Sequence, residues 1–275
     1  MSTTTIETPA VPVPHEVATR LTFAGVLRSE WVKLRSLRSS ALTLASAAVI
    51  MIAIGLIFAA TFGSDSDGVN GVTDPTGITL SGGMFAQLVV GVLGVLNISS
   101  EYSTGMIRST VTGVPSRVPV LAGKVVVVAG TVFPAMLAAA LVVFFSGQSF
   151  MKGNGHPAAA IGDTGVPGAL LGSAVTMTGV ALLGLALGAL MRNTAGAISA
   201  LVGLVFIVPG LGSLVLPASW RDDVLKFLPS NASDAFAAIT PAPNLLGAGA
   251  GAAVFAAWVV VPLLAAALLL RRRDV

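Results

Sequence analysis

The run GALLGSAVTMTGVALLGLALGALM, residues 168–191, contains no Asp, Glu, Lys, Arg or His. As a helix it would rise about 36 Å at 1.5 Å per residue, enough to cross roughly 30 Å of hydrocarbon. Five further runs share this character: Ala41–Gly63, Ser81–Ser100 and Val125–Gly147 before it, Ala197–Pro217 and Gly249–Leu270 after it. In lipid only a helix or a closed barrel satisfies its own backbone, and runs of this length read as helices. The sequence therefore predicts an all-α integral membrane protein with a six-helix transmembrane domain over residues 40–275.

Composition agrees. Of 275 residues, 55% are apolar and 10% charged, with a mean hydropathy of +0.91, well outside the range of soluble domains. The net charge of +3 does not indicate nucleic-acid binding, because the basic residues sit at the edges of apolar runs. With no cysteine, thiolate chemistry and disulfides are excluded. His15 and His156 are far apart in Pro- or Gly-rich loops, and no metal site is expected.

Placing the N-terminus inside puts Arg20, Arg28, Lys33, Arg35, Arg38, Arg108, Arg117, Lys124, Arg192 and Arg271 to Arg273 on the cytoplasmic side. Only Lys152, Arg221 and Lys226 are then external. That asymmetry predicts cytoplasmic N- and C-termini. Residues 1–20 are Thr/Pro-rich without periodicity and read as a disordered tail. Residues 21–39 read as an amphipathic interfacial helix: Phe23, Val26, Leu27, Trp31, Leu34 and Leu37 share one arc, and Lys33 and Arg35 lie outside it. Glu30 interrupts the apolar arc. The helix serves as a simple anchor for the first span or as a partner contact.

The external segments 64–80 and 148–167 read as linkers. Residues 218–248 look more organised, with Trp220 at the interface and a short apolar cluster ended by Pro229. A second short helix follows, capped by Ser230 or Asn231 and running through Ile239. This is either a re-entrant segment or a loop packed over the bundle.

Chemistry is absent from the interiors of the runs as delimited above, where no titratable side chain is found. This disfavours a proton-coupled pump, a voltage sensor and an intramembrane protease. Small-residue pairs such as Gly184–Gly188, Gly247–Gly251, Gly196–Ala200 and Ser199–Gly203 permit close helix approach, including a dimer seam. Pro134, Pro209 and Pro262 predict kinks. Gly123-Lys124 is not a phosphate-binding loop, since Val118 stands where its first glycine belongs and Val125 follows the lysine. No catalytic residue, cofactor or metal is assigned, and the chain is not expected to be an enzyme. Work would draw its energy from another chain.

The connection EYSTGMIRSTVTGVPSRVPVLAGK, residues 101–124, carries Glu101, Tyr102, Gly105, Arg108, Pro115, Arg117 and Lys124. This spacing resembles the E-Y-x-x-G-x-x-R, P-x-R and K pattern of type-2 ATP-binding-cassette exporter permeases, with Met106 where threonine is usual. Ser29 to Arg35, including Trp31, Lys33 and Arg35, resembles that family's amphipathic connecting helix. The resemblance implies a short cytoplasmic coupling helix at 101–117 that fits an ATPase subunit, a second permease copy or paralogue, and a re-entrant outer segment before the last span. It also implies residence in a bacterial plasma membrane and export of drug-like or other apolar or amphipathic molecules. Glu101 is expected to pair with a cation of the interfacial helix or of the ATPase. The alternatives are a non-transporting receptor or scaffold that binds a cytoplasmic partner and, more weakly, a lone secondary transporter.

Overall fold

The computed structural model describes residues 22–61, 74–103 and 117–272. Among these every regular element is helical. They are α1 (Phe23–Ser36), α2 (Arg38–Thr61), α3 (Pro75–Leu80), α4 (Gly83–Ser103), α5 (Arg117–Gly153) and α6 (Val166–Met191). After these come α7 (Thr194–Val202), a π-helical turn (Gly203–Ile207), α8 (Val208–Val215), α9 (Ala218–Leu225), α10 (Pro229–Ala237) and α11 (Ala248–Arg272). Among the described residues, six helical stretches are long and apolar enough to span a membrane: Arg38–Thr61, Pro75–Tyr102, Val118–Gly153, Val166–Met191, Thr194–Val215 and Ala248–Arg271. The chain is thus a multi-pass, membrane-protein-like helical bundle.

Helix α6 is the centre of that bundle. It is apolar all round and buried along most of its length, packing against α4, α5, α10 and α11. Lipid supplies little hydrophobic drive between helices, so close packing has to hold them, and small residues make it possible. At the α4–α6 crossing a Cβ on Gly94 would overlap the Ala181 carbonyl oxygen, and one on Gly184 would overlap the Gly91 carbonyl oxygen. A Cβ on Gly188 would sit 2.8 Å from Ile98 Cγ2. The Gly184–Gly188 pair is therefore consumed inside the chain and not at a dimer seam. Gly251 likewise receives α10, while Gly247 and Gly203 face open space.

Several boundaries differ from the sequence reading. The interfacial helix stops at Ser36, because Leu37 is extended and a new helix begins at Arg38. Its buried residues are Val26 and Glu30, whereas Phe23, Trp31 and Leu37 are exposed. The linker read over 64–80 contains α3, started by Asp74 accepting from Thr76 N and by Pro75 in the first turn. Part of the linker read over 148–167 is the last turn of α5, where Gln148 donates to the Pro75 carbonyl at 3.0 Å and accepts from Ala159 N at 2.7 Å. In the 218–248 segment, α10 begins at Pro229 with Leu228 at its cap. Neither Ser230 nor Asn231 caps it, and it ends at Ala237.

Helix geometry continues through Pro134 and Pro262. Around Pro209 it does not. Proline has no N–H to offer the Val205 carbonyl and its ring crowds that oxygen, so the ladder widens over Gly203–Ile207, and Val208 N donates to the Gly203 carbonyl.

Candidate functional site

Helix α1 lies along the first turns of α5, and Gly123 makes that approach possible. A Cβ there would sit 3.0 Å from Val26 Cγ1 and 3.6 Å from Glu30 Cγ. This seating delivers Glu30 to Lys124, the next residue on α5. The Lys124 ammonium donates to Glu30 Oε2 at 2.7 Å, to Glu101 Oε1 at 2.8 Å and to the Asn97 carbonyl at 3.3 Å. Lys33, one turn after Glu30, donates to Glu30 Oε1 at 2.8 Å and to Glu101 Oε1 at 3.0 Å. Two ammonium groups and two carboxylates thus join α1, α4 and α5 in one electrically balanced cluster.

Burial decides what this cluster is. Glu30 and Lys124 are 3% exposed and Glu101 5%, so none of these charges is solvated by water. At that depth an ion pair is retained only if its geometry is good and its charges balance, and loss of one member strands the others. Burial depresses the Lys33 ammonium. Its hydrogen bond to Glu30 and the charge of Glu101 outweigh this and hold its pKa above the ordinary lysine value. A cavity of about 320 Å³ opens beside the cluster, lined in part by Leu37, Thr43, Leu96, Asn97 and Glu101. Glu101 Oε2 and Asn97 Oδ1 are buried without a hydrogen-bond partner among the described residues.

Of the residues singled out from sequence, Glu101 and Lys33 meet in the cluster. Glu101 pairs with Lys33 of α1, one of the two expected kinds of partner, and also with Lys124. Tyr102 is half-buried at the end of α4, with the Arg192 guanidinium 5.4 Å from its ring centroid. Trp31 and Arg35 are exposed on α1 and take no part. Glu101 and Tyr102 belong to the long α4 helix and Arg117 opens α5, so a separate coupling helix cannot include them. Gly105, Arg108 and Pro115 lie outside the described residues, as do the tail at 1–20 and the Arg117 side chain.

The helices extend past the ends of the apolar runs. The apolar runs, cut at their first charge, left Glu101 and Lys124 outside. The helices that are long and apolar enough to span contain both. Glu30 and Lys124 were missed as a pair, although an acid in the apolar arc of an amphipathic helix was the available signal for it. Among the described residues, no group of three or more His, Asp or Glu side chains is placed to hold a metal.

No protein-family model matches the chain, and no curated protein matches it. The motif resemblance therefore stands on the residues quoted for it.

Proposed function

We propose that the chain is the membrane-spanning subunit of an ATP-driven exporter in a bacterial plasma membrane, working with a separate ATPase subunit and a second copy or paralogue of itself. The observation that carries this reading is the buried cluster Glu30–Lys33–Glu101–Lys124. Residues 104–116 connect the ends of α4 and α5, and the two helices are bonded to each other and to α1 close to that connection. A partner that displaces the connection then moves α1 and two spans as one body, because parting them would strand buried charges. In this reading an ATPase pushes on the connection that follows Glu101 and carries Arg108 and Pro115, and α9 with α10 serves as the outer cap before the last span.

Co-expression with a cassette ATPase tests this. Stable co-purification and ATP hydrolysis stimulated by cargo are the expected results. Glu101→Ala and Arg117→Ala are each expected to abolish the stimulation while membrane insertion persists. Normal stimulation in both variants would reject the coupling role. Recovery of a cytoplasmic partner that lacks ATPase activity would favour a receptor or scaffold.

A further inference from the structure

The fifth spanning stretch, Thr194–Val215, consists of two helices that are fastened very differently. Its first half, α7, is tied to α4. Thr194 Oγ1 donates to Ser99 Oγ at 2.9 Å, Asn193 caps the helix by accepting from Gly196 N, and Ala197 and Leu201 are buried. A Cβ on Gly91 of α4 would sit 2.5 Å from Leu201 Cδ2, so the two helices are in close contact. The second half, α8, has none of this. Among the described residues no member of α8 is buried, and Leu214 is 80% exposed. It packs on the π-helical turn before it and on α9 after it. Lipid does not press an apolar helix against its neighbours, so packing is what fixes such a helix, and α8 has little.

The joint between the halves favours bending. Pro209 has no N–H, the hydrogen-bond ladder widens over Gly203–Ile207, and Val208 N reaches back to the Gly203 carbonyl. Gly203 and Gly210, on either side, meet no atom beyond their own helix within 4 Å of where a Cβ would stand, so no neighbour props the backbone there. Beyond the joint, α8 carries α9 with it. The Arg221 guanidinium donates to the Leu216 carbonyl at 3.3 Å, and Leu225 Cδ2 fills the space beside Gly212. The far end of this arm is defined as well. Trp258 of α11 donates to the Phe227 carbonyl at 2.7 Å, and α10 begins at Pro229, seated against Gly172 of α6 and Gly251 of α11. Between the two fixed points an exposed hydrogen bond from Asn244 to Asp222 tethers α9, and water competes for both of its partners.

We infer that residues 208–226 form a hinged arm that swings about the π-helical turn while α7 stays with α4. A cavity of about 490 Å³ between α3, α4, α6 and α10 takes Val205, Phe206, Pro209 and Gly210 as its remaining wall, with Met84 and Met177 among the residues of α4 and α6 that line it. The swing therefore changes the width of that cavity without parting α4 from α6. The fixed half joins the last turns of α4, close to the connection on which the export reading places the ATPase. Use of the arm in transport rests on that reading. The swing itself needs no ATPase, so failure of one is distinguishable from failure of the other.

The sequence has no cysteine, so spin labels go only where cysteines are introduced. The test uses the full chain, purified alone into phosphatidylcholine nanodiscs, with one label on α5 at Phe150→Cys and the other either on α8 at Leu214→Cys or on α7 at Ser199→Cys. All three positions are exposed. Double electron–electron resonance reads the two distance distributions, and the α5–α8 distribution is expected to be roughly twofold wider than the α5–α7 one. Pro209→Ala returns a donor to the Val205 carbonyl, and Gly203→Ala stiffens the turn without a clash. Each should narrow the α5–α8 distribution by about half and leave the α5–α7 distribution as it was. Equal widths in the two parent pairs would overturn the inference, whether α8 is then held by its own chain or by a second copy. So would an α5–α8 width that neither substitution narrows.

Discussion

The two ends of this bundle hold acidic side chains in opposite ways. Where α1, α4 and α5 meet, Glu30 and Glu101 are each held by both Lys33 and Lys124, with contacts of 2.7–3.0 Å. Along the cavity between α3, α4, α6 and α10, Asp74 is half-buried and caps α3 by accepting from Thr76 N, Asp234 is exposed, and no Lys or Arg is among the described lining residues. The difference teaches that a carboxylate needs a cation where water cannot reach it and can do without one where water or a backbone N–H can. A balanced cluster locks its helices together and has little left to offer a ligand. An unbalanced pair is tolerated because solvent reaches Asp234 and a helix N-terminus holds Asp74.

Breaking the balanced end should give the largest effect. Lys124→Met leaves two buried carboxylates facing Lys33 alone and is expected to cost about 3–5 kcal/mol, read as a fall in unfolding temperature in detergent. Adding Glu30→Met leaves Lys33 and Glu101 as a matched pair and should restore most of the loss. A double variant as unstable as the single one would show that charge balance is not what holds this end.

Next in size is the seam that ties the two ends together. Gly94→Val places a side chain against the Ala181 backbone, and forcing α4 from α6 is expected to cost about 1–3 kcal/mol by the same measurement. Wild-type stability would show that the crossing can relax.

The smallest effect should have the opposite sign. Asp234→Asn removes an unpaired carboxylate and should stabilise the unliganded chain at pH 7.5 by roughly 1 kcal/mol or less, discounted because Asp234 is reachable from the cavity. Its pKa is raised in the folded state, so the wild-type chain binds the extra proton on folding and gains stability as the pH falls through about 6 toward the ordinary aspartate value near 3.8. The gap between variant and wild type should therefore close across that window. A gap independent of pH would assign the effect to packing.

Much of the fold was legible because a membrane-spanning helix announces itself locally, through length and the absence of charge. Run edges were less legible, since a hydropathy pattern ends a span at its first lysine or glutamate. Lys124 and Glu101 lie inside their helices all the same, because each neutralises the other. Helix α3 was hidden in a Gly/Asp/Pro-rich stretch whose cap and first-turn proline are also turn residues. Nothing along the chain signals that α10 sets Asp234 at the edge of a cavity that Gln87 also lines.

By itself the sequence determined that this chain forms six long apolar helices, because backbone satisfaction and hydrophobic length depend only on neighbours along the chain. Tertiary structure alone decided which charges are cancelled and which are left open. Coulomb energy depends on distance in space, and Glu30 lies 94 residues from Lys124 along the chain but 2.7 Å from it in the fold.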